Sequence, residues 1–173
     1  MRKRHVVLVG LPGSGKSTVG RLVAAALGAP FADADAEVER LAGKSIGRIF
    51  LEDGEAAFRA LEARCVQEIL RGAPAVVATG GGFLEDPGNR DAVRTGGLAV
   101  YLATRAPTAA ERLAGIGGRP LLERDEPAVV LAALLGRREA GYLAADHVVP
   151  TDGLSAETVA AAVVSLARDH AGW

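Results

Sequence analysis

Near the start of the chain, Gly10-Leu11-Pro12-Gly13-Ser14-Gly15-Lys16-Ser17 joins three glycines to a lysine and a hydroxyl at the spacing of a phosphate-binding loop. Glycines let the backbone curl so that several N–H groups point at one anion, and a helix opening behind the loop adds the positive end of its dipole. In such a loop Lys16 reaches the β- and γ-phosphates of a nucleotide, and Ser17 ligates Mg²⁺. The context agrees, because the apolar run Val6-Val7-Leu8-Val9 precedes the loop and an amphipathic stretch follows it. Gly43-Lys44-Ser45 repeats the last three letters, but Val38 stands where the first glycine belongs and no strand precedes it. That segment reads as one helix ending and the next being capped.

What faces the γ-phosphate decides the chemistry. A metal carboxylate usually ends a sheet strand, yet two later strands run out into Thr79-Gly80 and Ala103. Asp33, at the end of a short strand, is the candidate for organising Mg²⁺; its alternative is a helix-capping turn. Asp35 leaves the same junction and could accept the proton of an attacking hydroxyl, or act as an N-cap. An acceptor with its own charge needs cations. Arg59, early in a helix, meets either an anion or a surface partner, Glu55 or Glu62. Arg138 shares a helical face with Leu131, Leu134, Leu135 and Tyr142, which draws it inward unless it snorkels. Arg119, between loop glycines and Pro120, either swings onto the transferring phosphoryl group or stays solvated. Gly80, Gly81 and Gly82 offer bare backbone N–H groups to a small polar substrate, or make a plain turn.

The elements that must position these residues alternate along the chain. Strands are expected at 5–9, 30–33, 75–78, 98–102 and 147–149, and helices at 16–27, 35–43, 45–50, 54–71, 89–95, 107–113, 127–145 and 155–169. The glycine-rich stretch 114–120 lacks periodicity and reads as a mobile loop. Alternation with short connections implies a three-layer α/β/α fold with a parallel sheet. Cys65 reads as a small core residue.

The chain of 173 residues suits one domain. With 20 basic and 21 acidic residues, a net charge of −1 and 4% aromatics, it has no broad footprint for nucleic acid or membrane and little base-stacking surface. A single cysteine excludes an internal disulfide and suits a reducing, cytoplasmic setting. The apolar run behind Met1-Arg2-Lys3-Arg4 ends within six residues, so no signal peptide is visible, and no run reaches membrane-spanning length. His5, His147 and His170 lie at no metal-ligand spacing and are expected in structural or surface roles.

Taken together, the chain resembles the shikimate kinases, small P-loop enzymes of the nucleoside-monophosphate-kinase-like class. The likeness rests on Gly10 to Thr18, Asp33-Ala34-Asp35, Phe50 through Asp53-Gly54-Glu55 to Phe58-Arg59 and Glu62, Thr79 to Gly82, Arg119-Pro120-Leu121-Leu122, and Arg138 with Tyr142. It implies a five-stranded parallel sheet in the order 2-3-1-4-5, a substrate-binding subregion at about 34–62 and a lid at about 112–126. It implies phosphoryl transfer from MgATP to the 3-hydroxyl of shikimate, giving shikimate 3-phosphate and ADP in aromatic amino-acid biosynthesis; a monomer is expected, though nothing in the sequence fixes the oligomeric state.

Carried over by position, Gly13, Ser14, Gly15, Lys16, Ser17 and Thr18 bind the nucleotide phosphates, Arg112 stacks on adenine, and residues 151–156 form the other wall of that site. Asp35, Arg59, Gly80, Gly81, Gly82 and Arg138 hold shikimate, the arginines taking its carboxylate. Asp33 supports Mg²⁺ through water, Ser17 ligates it, Lys16 and Arg119 stabilise the transferring group, and Asp35 is the base. Two departures stand out: Phe83 follows the glycines where a small residue is usual, and could trim the substrate pocket, and the stretch 122–127 is short and acidic. Rival readings are a kinase for a related hydroxy acid or cyclitol, such as gluconate or aminoshikimate, and a nucleotide-dependent switch without catalysis.

Overall fold

The computed structural model describes residues 2–114 and 126–173. Its centre is β1 (His5–Val9), whose five residues are all buried, as expected of a strand covered on both faces. β1 pairs in parallel with β3 (Val76–Ala78) on one side and β4 (Gly97–Ala103) on the other. β2 (Phe31–Asp33) lies outside β3, and β5 (His147–Pro150) outside β4. The order is therefore β2-β3-β1-β4-β5, the one the resemblance implies.

The two-residue period of β1 divides the core. Val6 and Leu8 face α1 (Lys16–Leu27) and α8 (Ala156–His170), meeting Val19, Val23, Val159 and Val163. Val7 and Val9 face the opposite layer, built by α4 (Glu55–Arg71), α5 (Pro87–Gly96), α6 (Ala106–Leu113) and α7 (Pro127–Tyr142) through Val66, Val93, Ala109 and Leu131. Each buried valine or leucine among them contributes about 1.5–3 kcal/mol. A third, smaller cluster of Val38, Ile49, Phe58 and Cys65 joins α2 (Ala34–Ala42), α3 (Ile46–Glu52) and α4 away from the main sheet. Cys65 is thus a buried core residue, as its setting in the sequence suggests.

The ends of the helices follow local chemistry. Gly28 and Gly43 close α1 and α2 in the left-handed region. The Ser45 hydroxyl accepts from the Arg48 N–H at 3.3 Å and caps α3, while Lys44 pairs with Glu52 and Asp53. The second Gly-Lys-Ser is therefore a helix boundary. The helix expected from Asp35 begins at Ala34, because Asp33 itself is the cap. α7 ends at Tyr142, three residues before the expected stop. One element was not anticipated, a 3-10 turn at Phe83–Glu85 between the glycine triplet and α5.

His5 is buried, with Nδ1 accepting from the Ala75 N–H at 3.1 Å, so it ties β1 to the approach of β3. Burial lowers its pKa. His147 and His170, far apart in sequence, meet at a ring-centroid distance of 4.5 Å. Among the described residues no helix is long and apolar enough to cross a membrane.

Candidate active site

At the C-terminal ends of the strands the loop after β1 and the first turn of α1 enclose a cavity of about 420 Å³. Its walls take in Gly13, Ser14, Gly15, Lys16, Ser17 and Thr18, then Asp33 and Asp35, Gly81, Arg112 and Thr151. Gly13 is held at φ 81°, where a side chain is strained, and a Cβ there would stand 2.5 Å from the Ala109 carbonyl oxygen. The loop is thus moulded against α6. The Lys16 ammonium donates to the Gly10 and Leu11 carbonyls at 2.8 and 2.7 Å, which fixes it at the loop's rim.

Asp33 has a partner on each of its carboxylate oxygens. Oδ1 accepts from the Asp35 and Ala36 N–H groups at 3.1 and 3.4 Å and caps α2, while Oδ2 accepts from the Ser17 hydroxyl at 2.5 Å. A hydroxyl and a carboxylate side by side at a phosphate loop fit Mg²⁺, a hard cation that takes few protein oxygens and fills its octahedron with water and phosphate. Among the described residues no cluster of three or more metal-binding side chains competes for that role.

Arg112 donates to the Thr151 hydroxyl at 3.0 Å and to the Thr151 carbonyl at 2.9 Å. The Thr151 hydroxyl also meets that of Thr104 at 2.6 Å. Arg112 is therefore held between α6 and the segment after β5, the two walls between which the resemblance leads one to expect adenine.

A second cluster lies beyond Asp35 and Gly81, outside the lining of that cavity, and the glycine triplet organises it. A Cβ on Gly80 would fall 1.8 Å from Glu62 Oε1 and 3.2 Å from Asp35 Oδ1. A Cβ on Gly81 would press on Pro12 of the phosphate loop at 2.8 Å, and one on Gly82 would fall 2.5 Å from an Arg59 nitrogen. The triplet is thus a close approach of backbone to side chains, not a plain turn. Arg59 donates to Glu62 at 2.8 Å and reaches Glu55 at 3.4 Å, so both of its expected surface partners are present, one of them fully buried.

Arg138 does not snorkel. It is 4% exposed, beside Leu131, Leu134 and Tyr142 on the inner face of α7, and Nε donates to Glu85 at 2.7 Å. The Tyr142 hydroxyl donates to the Gly81 carbonyl and pins the triplet from behind. Burial raises its pKa well above the ordinary tyrosine value.

Two buried side-chain polar atoms have no hydrogen-bond partner among the described residues: Glu62 Oε1 and Arg138 Nη2. Such atoms cost about 1–3 kcal/mol each if left unmet. One accepts and the other donates, so a ligand bearing hydroxyls and a carboxylate matches the pair. Burial raises the pKa of Glu62, with the Asp35 charge adding to it, against the opposing pull of Arg59 and Arg138.

Phe83 corrects one expectation. It is 1% exposed within the main hydrophobic cluster and does not trim a pocket, because the 3-10 turn rotates it under the triplet. Arg119 and most of the expected lid lie outside the described residues. Glu85 was missed altogether: its partner Arg138 is 53 positions away and no local spacing announces it.

Comparison with known proteins agrees with this geometry. The family model described as Shikimate kinase matches residues 12–168. The curated shikimate kinase of Rhizobium meliloti is 39% identical over 168 residues, covering 97% of this chain and 88% of its own. That of Geobacter sulfurreducens is 42% identical over 167 residues, covering 96% and 92%. The solved shikimate kinase from Acinetobacter baumannii in complex with shikimate superposes with a TM-score of 0.93 at 34% identity, covering 96% of this chain and 94% of that one. A gluconokinase from Sinorhizobium meliloti 1021 reaches only 0.65 at 21% identity, over 99% of this chain and 96% of its own, and shares the fold alone.

Proposed function

The chain belongs to the shikimate kinase family, and from that premise we propose that its crevice transfers the γ-phosphoryl group of ATP to the 3-hydroxyl of shikimate. The observation that carries this reading is the glycine triplet, one wall shared by two sites. Gly81 abuts Pro12 of the phosphate loop, while Gly80 and Gly82 abut Glu62, Asp35 and Arg59. Donor and acceptor are thereby held within reach of each other.

The roles follow from position. Lys16 neutralises the β- and γ-phosphates, and Ser17 with Asp33 holds Mg²⁺, which when bound offsets phosphate charge. Asp35 accepts the proton of the attacking hydroxyl as its oxygen bonds to the γ-phosphorus; the bond to the bridging oxygen breaks, and its electron pair leaves on ADP. Arg59 and Arg138 take the acceptor's carboxylate. Arg112 and Thr151 flank adenine, and the resemblance assigns stabilisation of the transferring group to Arg119, which lies outside the described residues. Residues 34–62 form the substrate-binding subregion, around the cluster of Val38, Ile49 and Phe58.

The test is ADP release from MgATP with shikimate, gluconate or no acceptor. Stimulation by shikimate alone is expected. Stimulation by gluconate alone supports the rival kinase, and tight nucleotide binding with no acceptor effect supports the switch.

A further inference from the structure

We propose that Glu85 is a positioning residue that presents Arg138 to the acceptor's carboxylate; this rests on the function proposed above. One oxygen of Glu85, Oε1, accepts from Arg138 Nε at 2.7 Å and from Arg137 Nε and Nη2 at 3.2 and 3.1 Å. Three donors on one oxygen fix the carboxylate. Burial alone would raise its pKa, but the hydrogen bond and charge of Arg138, followed by those of Arg137, hold it below the ordinary carboxylate value.

The two arginines differ in what they can do. Arg137 is 63% exposed and lies outside the site, whereas the Arg138 side chain is 2% exposed. A guanidinium is a rigid planar fork, so a carboxylate holding Nε sets the direction of both terminal nitrogens. With Nε taken by Glu85, Nη2 remains buried and unpartnered among the described residues. That nitrogen is a donor with which a bound carboxylate can pair.

Glu85 also closes the 3-10 turn that follows the triplet, its N–H donating to the Gly82 carbonyl at 3.0 Å. The same short segment therefore aims Arg138 and continues the wall built by Gly80 to Gly82. Arg137 acts one step further out, by keeping Glu85 charged and in place.

The experiment measures steady-state kinetics and melting temperature for Glu85→Gln, Glu85→Ala, Arg137→Ala and the double variant Glu85→Gln/Arg137→Ala. Glu85→Ala is expected to raise KM for shikimate about tenfold, with kcat and KM for ATP within about twofold of the parent. Glu85→Gln, which keeps an acceptor oxygen but loses the charge, should recover part of that loss. Arg137→Ala should raise KM for shikimate about twofold in the parent and leave it unchanged in the Glu85→Gln background, because its effect passes through the charge. If Glu85→Ala does not fold, Glu85→Gln and the Arg137 pair carry the test. Unchanged KM for shikimate in the Glu85 variants, equal losses in kcat and in KM for ATP, or an Arg137 effect that persists without the Glu85 charge would each overturn the proposal while leaving the parent's activity intact. A parent that shikimate does not stimulate would overturn the proposed function and this inference together.

Discussion

Replacing Gly80 by alanine puts a methyl group where Glu62 already stands. The added carbon would lie 1.8 Å from Glu62 Oε1, 3.0 Å from its carboxyl carbon and 3.2 Å from Asp35 Oδ1. To reach a tolerable carbon–oxygen separation the carboxylate must retreat by more than about 1 Å. It has nowhere easy to go, because Glu62 is fully buried and Oε2 is held by Arg59 at 2.8 Å. Removing one partner of a buried ion pair costs about 3–5 kcal/mol. Displacing the pair while both partners remain should cost less, about 2 kcal/mol, or a fall in Tm of about 4–8 °C at this size. Lys16 and Ser17 are untouched, so KM for ATP should stay within about twofold while KM for shikimate rises about tenfold or more.

The control is Gly80→Ala/Glu62→Asp. Shortening Glu62 by one carbon–carbon bond, about 1.5 Å, draws the carboxylate out of the way. The pair should therefore show a favourable coupling of about 1 kcal/mol by urea denaturation. Parent-like Tm and shikimate KM in Gly80→Ala, or strict additivity with Glu62→Asp, would refute the shared-wall argument.

Three further outcomes are expected. Asp35→Asn should lower turnover about 10²- to 10⁴-fold while titration with a fluorescent nucleotide shows parent-like affinity; unimpaired turnover would remove Asp35 from the role of base. Gly136, in the middle of α7, has no described residue within 4 Å of where its side chain would start, so Gly136→Ala should stabilise the fold by about 1 kcal/mol and raise Tm by about 2–4 °C without changing kcat. Burial raises the Glu62 pKa above its ordinary 4.5, so the native state holds this proton more tightly than the unfolded chain does. The cost of charging Glu62 is absent below the unfolded value and grows as pH rises through the folded one. Denaturation at pH 5 and pH 8 should show the stability of Glu62→Gln gaining on the parent as pH rises, and a gap that ignores pH would contradict a desolvated carboxylate.

The fold was largely legible because its signals are local. Val6 to Val9 announce a strand buried on both faces, Gly28 and Gly43 end helices, and Ser45 caps one. The strand order came from resemblance, since no periodicity says which strand lies beside which. Asp33 was readable as metal organiser or cap; the structure shows the cap on one oxygen and the Ser17 hydroxyl on the other. The partner sets of Arg138 and Arg112 were not readable. Glu85 and Thr151 lie 53 and 39 positions away, and nothing in their neighbours marks them. Phe83 was misjudged for a related reason: it follows the glycines in sequence, but a single 3-10 turn carries it into the core.

The missing side chains of the glycine triplet bear on how an enzyme of this kind can diverge. Gly80 is closed to a methyl group by the buried Glu62 and Gly81 by the Pro12 ring, while at Gly82 the flexible Arg59 guanidinium would have to move aside. No single compensating change frees all three, so the triplet is a poor place for natural drift or for a mutagenic library to begin. Altered acceptor preference has to be sought on the helices opposite, in the side chains of α2, α4 and α7, with the loop kept as a fixed gauge against which new shapes are measured.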